Sequence, residues 1–422
     1  MSTDQLERRL PEILTELSLP RVPDYTDDLL GRTARMSQRP AWTYPERWFP
    51  VSTLTTALSP VLRPALRPLI VLAVLAALII ASLAWYAGSQ RQLPPLFGLA
   101  KNGLVLTTNA GGDVVTVDPA SNVTHTLFAG PALCCPQVSG DGGRVALLRV
   151  PNAGGEPTAL VVLNIDGTTV RELPAELVNG LADFALSPRG DRLLLAIPSG
   201  PKIVDLASGN VTSISAAPDI TRASWVGATG DILLTAHIAD TPPAGSALDV
   251  YRLSGGATSG ATKVTSLQYA IDAPLLSPDG SKFVYYIWGP EERLQGRIHV
   301  FTFETGTDEA ITPEAATGPV DTTNWENPVW SPDGSLIAAE QYATGGNHLV
   351  IMPAAGGNPV IVGPAFPTGS GGAAMHFSPD GTSLLATYRS DQTTWLLPVS
   401  GGEGHQVPWV AGEEVDWQRL AP

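Results

Sequence analysis

Cysteine is nearly absent: the chain has two in 422 residues, too few for a disulfide framework or a zinc module built on cysteine. Positive charge is scarce as well, with 25 Lys and Arg against 40 Asp and Glu and a net charge of −15. Phosphate binding rests on a basic surface, so this balance argues against nucleic acid as a partner. The six histidines include no His-Glu-x-x-His pair, and no Gly-x-Ser-x-Gly elbow occurs anywhere, so the sequence offers no metal site, no cofactor site and no catalytic constellation. The expectation is a protein that is not an enzyme. What is plentiful is turn chemistry, 42 Gly and 38 Pro, beside a 44% hydrophobic content. That combination points to many short strands around a core and away from disorder.

Long hydrophobic runs are missing too, save one. Leu69 to Ala87 carries no charge over 19 residues, and a helix of that length approaches the ~30 Å hydrocarbon thickness of a bilayer. Nine arginines precede it, Arg63 and Arg67 directly against it, whereas only Arg91 and Lys101 follow closely. The positive-inside rule therefore puts the N-terminus in the cytoplasm, and Trp85 and Tyr86 suit the outer aromatic belt. The expected organisation is a cytoplasmic leader (1–68), a transmembrane helix (69–87), a linker (88–95) and a folded domain (96–422) outside the membrane.

That outer part repeats. Leu276-Ser277-Pro278-Asp279-Gly280, Trp330-Ser331-Pro332-Asp333-Gly334 and Phe377-Ser378-Pro379-Asp380-Gly381 share one pattern, Leu186-Ser187-Pro188-Arg189-Gly190 nearly does, and segments at Val138–Gly142 and Val226–Gly230 are degenerate forms. Pro presets the second position of a turn, Asp suits the third, and Gly takes the left-handed fourth. Asp279, Gly280, Asp333, Gly334, Asp380 and Gly381 are accordingly structural turn residues. Each turn joins two short apolar strands and two more follow, which is the content of one propeller blade.

Ser139, Ser187, Gly227, Ser277, Ser331 and Ser378 recur at intervals of 40 to 54 residues, and one further step reaches Gln418, just after Val415-Asp416-Trp417. The strands that would follow lie at the other end, in Gly103–Asn109, Asp113–Asp118 and Thr124–Phe128. The reading is an all-β, seven-bladed propeller, with six or eight blades as alternatives, closed by pairing the C-terminal strand with N-terminal ones. Closure removes exposed sheet edges.

The Ser-Pro-Asp-Gly repeats, with a preceding aromatic and a later Gly-Gly or Thr-Gly turn, resemble the TolB-type, WD-like β-propellers of bacterial envelopes. That resemblance implies a binding platform, a scaffold or an accessory domain. Leu19 to Pro50, with Pro20-Arg21-Val22-Pro23-Asp24-Tyr25 and Arg39-Pro40-Ala41-Trp42-Thr43-Tyr44-Pro45-Glu46-Arg47-Trp48, resembles the leader of bacterial membrane proteins that join an anti-sigma-like N-terminal region to a TolB-like ectodomain. The His and two Cys of the zinc-type anti-sigma signature are absent.

Within the leader, Leu6, Leu10, Ile13 and Leu17 follow helical spacing in a helix expected over about 3–17, and a second is expected over about 24–36. Such short helices need a partner or the membrane surface to bury their stripe. Trp42, Tyr44 and Trp48 sit among proline breaks close to the membrane. These residues are the candidate partner-binding set. The resulting expectation is a single-pass protein whose propeller binds an extracytoplasmic ligand or envelope protein while its leader binds a cytoplasmic regulator, a sigma factor by the resemblance. A membrane-tethered scaffold without signalling is the alternative, and a hydrolase stands third.

Cys134 and Cys135 are adjacent. Neighbours on a strand point to opposite faces, so a bridge between them requires a distorted backbone. The expectation is one buried thiol and one partly exposed, with a vicinal disulfide, which an oxidising environment outside the membrane permits, as the alternative. His299 and His348 stand in strand patterns and read as surface or satisfied histidines.

Overall fold

The computed structural model describes residues 93–421, apart from short gaps of which 239–246, 288–295 and 314–322 are the longest, and six residues within 69–87. Leu72, Val74, Leu75, Ala76, Leu78 and Ile79 are helical and exposed. Among the described residues no helix is long and apolar enough to cross a membrane. The rest of the expected span, and Leu6, Leu10, Ile13, Leu17, Trp42, Tyr44 and Trp48 in the leader, lie outside the described residues. The chain divides into two units, 1–91 and 92–422, and the description that follows concerns the second.

Seven four-stranded antiparallel sheets make up this unit. Blades 2 to 7 are each one continuous stretch, opening with Leu133–Val138, Asp183–Leu186, Ile220–Val226, Leu275–Leu276, Asn324–Trp330 and Ala373–Phe377. Blade 1 takes its first strand, Asp416–Leu420, from the C-terminus and its other three, Lys101–Thr108, Val114–Asp118 and Val123–Phe128, from the start of the domain. The expected ring closure is present, with Val105 opposite Trp417 and Leu106 opposite Asp416.

The burial of each strand follows its place in the blade. The second strand of blade 3, Arg192–Ala196, is buried on both faces from Leu193 onward, because neighbouring blades cover both sides; such strands read as continuous apolar runs rather than alternations. Fourth strands such as Val211–Ser213 are exposed along their length and form the rim. Seven apolar clusters fill the seven interfaces between blades. The cluster joining Leu385 of blade 7 to Val105, Val117 and Trp417 of blade 1 closes the circle.

The Ser-Pro-Asp-Gly segments form the expected turns. In the turn before Lys282, the Ser277 hydroxyl donates to Asp279 (2.6 Å) and accepts from the Lys282 amide (2.9 Å), while Asp279 accepts from the Ser281 amide (3.0 Å). Burial opposes ionisation of Asp279, yet Ser277 and Ser281 hold its carboxyl below the usual range. Gly280, Gly334 and Gly381 all have φ near +70°, the left-handed region that glycine adopts without cost. In the near copy Arg189 replaces the aspartate, and Asp191, beyond the glycine, accepts from Ser187 instead (2.7 Å). The aromatic before the turn also has a role: the indole N–H groups of Trp225 and Trp330 donate to the carbonyls of Ala185 and Leu275 in the preceding blade (3.1 and 2.9 Å).

Candidate functional site: the axial cavity

Side chains alternate along a strand, so the first strand of each blade turns every second residue toward the ring axis. Asp416, Gln137, Asp183, Arg222, Leu275, Asn327 and His376, one from each of blades 1 to 7, line two adjoining cavities of about 650 and 290 Å³ that share Arg222 and His376. With the exception of Arg222, whose strand shifts register after Ile220, these residues stand two or four positions before the turn serine or its equivalent. That offset was the signal available in the sequence. It was missed because none of the seven belongs to a recognisable motif.

The polar groups are arranged around one ion pair. Arg222 Nε lies 3.6 Å from Asp183 Oδ2; burial raises the Asp183 carboxyl, and Arg222 works against that rise. Asp416 accepts the amides of Val138 (2.6 Å) and Trp417 (2.7 Å), but burial dominates and pushes its carboxyl up to about 6. His376 is enclosed by the surrounding strands and pushed down to about 4 by burial, so the ring is neutral at pH 7. Its edge remains open to the cavity. Gln137 donates to the Phe184 carbonyl (2.9 Å), which leaves its amide oxygen as an acceptor. The site can pair with a charged group or hydrogen-bond a neutral polar one.

A strap closes the end of the axis on the turn side. Gly98 N donates to the Pro332 carbonyl (3.0 Å) and Ala100 N to that of Pro379 (2.8 Å), and Arg419 donates to the carbonyls of Pro95 (3.0 Å) and Gly98 (2.7 Å). Leu96 and Phe97 thereby border a third cavity of about 280 Å³ together with His376 and Asp416.

The remaining sequence candidates fall elsewhere. Asp279, Asp333 and Asp380 serve their turns. His299 Nδ1 contacts Asp308 Oδ1 (3.2 Å), and Tyr285 donates to the same carboxylate (2.6 Å), whereas His299 Nε2 and His348 Nδ1 are both buried with no hydrogen-bond partner. Among the described residues no cluster could hold a metal ion. The expectation for the cysteines is corrected: Cys134 and Cys135 are both half-buried and bonded to each other. The required distortion is present, with Cys135 at φ +62° and an extra residue between Cys134 and Gln137 relative to the partner strand.

No family model matches the chain, and no curated protein does. Solved structures do match in fold. Hydrazine synthase of Kuenenia stuttgartiensis superposes with a TM-score of 0.52 at 12% identity, over 74% of this chain and 98% of that one. TolB of Acinetobacter baumannii gives 0.41 at 16% identity, over 75% of this chain and 66% of that one, and a putative TolB of Agrobacterium tumefaciens gives 0.41 at 15%, over 62% and 88%. At such identities the likeness concerns fold: this domain is a seven-bladed β-propeller.

Proposed function

We propose that the propeller is the recognition domain of a single-pass envelope protein and that it binds a ligand or an envelope protein through its axial cavity. The observation that carries this reading is the convergence of one residue from every blade on two adjoining cavities, the larger of them roomy enough for a small ligand or a chain segment. The Asp183–Arg222 pair at its wall supplies directional polar contacts. Membrane attachment is supported by the charge-free run from Leu69 to Ala87 and its arginine-rich flank, and a regulatory role by the apolar stripe Leu6, Leu10, Ile13 and Leu17 of the leader.

The test is affinity capture from native membranes with the full-length chain and with an Asp183→Ala, Arg222→Ala double variant. The reading expects a species retained by the wild type and lost by the double variant at unchanged thermal stability. Equal recovery by both would refute it. In the same cells a C-terminal tag should be open to added protease, and Leu10→Asp with Ile13→Asp should release the cytoplasmic partner only.

A further inference from the structure

The two cysteines of this chain are neighbours in the first strand of blade 2, and that strand has unusual duties. Gln137 bonds blade 3 through the Phe184 carbonyl, and the Val138 amide bonds Asp416 of the C-terminal strand. One short segment thus ties blade 2 to both of its neighbours, including the strand that closes the ring. Cys135 lies two residues before Gln137 and lines the axial cavity beside Asp183 and Asp416. Its φ of +62° is a conformation that side chains with a Cβ adopt rarely, and here the covalent bond to Cys134 accompanies it.

We propose that Cys134 and Cys135 form a redox-active site reached through the axial cavity, whose co-reactant is a dithiol and whose oxidation state sets the register of this strand. A thiolate of the dithiol attacks one cysteine sulfur and breaks the S–S bond, forming a mixed disulfide. The second thiol of the reductant then attacks its own bound sulfur. Two electrons pass to the protein, two protons end on Cys134 and Cys135, and the reductant leaves as a disulfide. Once the bond is gone nothing covalent holds Cys135 in the left-handed region. The strand relaxes toward extended geometry and the extra residue before Gln137 is redistributed. The contacts of Gln137 with blade 3 and of Val138 with Asp416 are then the first to loosen. On the topology expected from the sequence the propeller faces an oxidising compartment, where the bonded form is the resting one. The redox step stands on this geometry alone; its consequence for binding rests on the axial cavity being the recognition site.

The experiment uses the full-length protein under native conditions, with and without dithiothreitol. Alkylation followed by mass measurement counts the free thiols, and hydrogen exchange reports the strands. Expected are two alkylated cysteines after reduction and exchange faster by about tenfold in 133–138 and 416–420, with blade 5 unchanged. A Cys134→Ala, Cys135→Gly variant, in which glycine accepts the positive φ, should keep the slow exchange of the oxidised protein whatever the reductant. Cys134→Ala with Cys135→Ala should match the reduced one. Cysteines that resist reduction until the protein is denatured would overturn the proposal, as would full reduction with unchanged exchange. Capture that depends on Asp183 and Arg222 but ignores reduction would leave the recognition reading standing and remove the redox control of binding.

Discussion

The interface between blades 2 and 3 and the one between blades 7 and 1 solve the same packing problem by different means. The first is made by continuous chain and buries a broad apolar cluster, from Ala146 and Leu160 through Leu193 and Leu195 to Leu206. The second is assembled from the two ends of the domain and has a small cluster, centred on Val105, Val117, Leu385 and Trp417. Polar pins accompany the smaller core. Asn102 and Asp380 exchange two hydrogen bonds across it (2.9 and 3.0 Å); within blade 1 the Trp417 indole donates to the Gly103 carbonyl (3.1 Å), and Gln418 donates to the Gly142 carbonyl of blade 2 (2.9 Å). Apolar burial is non-directional, whereas hydrogen bonds fix register. Beside this interface, inside blade 1, the C-terminal strand meets Lys101–Thr108 with no covalent continuity, and such a joint depends on register.

Removing the seam strand should have the largest effect. Deletion of 415–422 takes away the partner of Lys101–Thr108 together with the bonds of Trp417 to Gly103 and of Gln418 to blade 2. A loss of several kcal/mol is expected, comparable with the ~5–15 kcal/mol total stability of a domain. A melting temperature equal to that of the intact protein would show that the ring does not depend on this strand.

A buried acid at the 6/7 interface comes next. Glu340 is fully buried and accepts from Asn327 Nδ2 (2.9 Å), the Tyr342 hydroxyl (2.7 Å) and the Ala373 amide (2.7 Å). Gly372, at φ +72°, leaves the space that this carboxylate occupies; a Cβ there would overlap it. Glu340→Ala strands three donors and should cost about 2–4 kcal/mol in urea unfolding. Gln should recover part of that loss, and no recovery would make the site one of volume rather than hydrogen bonding.

The smallest effect is a pH dependence hidden by cancellation. Asp416, raised to about 6, stays protonated in the folded state where the unfolded chain has ionised, so its contribution is present at low pH and lost as pH rises through 6. His376, lowered to about 4, is neutral in the folded state where the unfolded chain is charged, so its contribution is present above about 6.5 and lost as pH falls through 4. The two slopes oppose each other between pH 4 and 6. Asp416→Asn should therefore unmask stability that rises with pH across this window, and His376→Gln stability that falls, each by about 2 kcal/mol at most. Urea midpoints measured from pH 4 to 7 for the three proteins decide this, and parallel profiles would exclude it.

Legibility followed the range of the interactions. The turn at Ser277–Lys282 is built from bonds spanning five residues, so its chemistry could be read from a short window of sequence. Asp191 escaped notice because it acts from two residues beyond the motif position, a displacement that only the bond to Ser187 discloses. The vicinal bond ranks second on sequence because alternating side chains diverge; the register shift that permits it depends on pairing with Arg144–Arg149.

By itself the sequence determined the strand–turn–strand unit, its sevenfold recurrence and the pairing of the two chain ends. Each of these follows from local backbone preference and from the need of an apolar strand to be covered. Which residues meet on the axis was decided only by the tertiary structure. Asp183, Arg222, His376 and Asp416 are far apart in the chain, and closing the ring is what brings them to one cavity. The shifted ionisation of Asp416 and His376 has the same origin, because it depends on burial that no single blade provides.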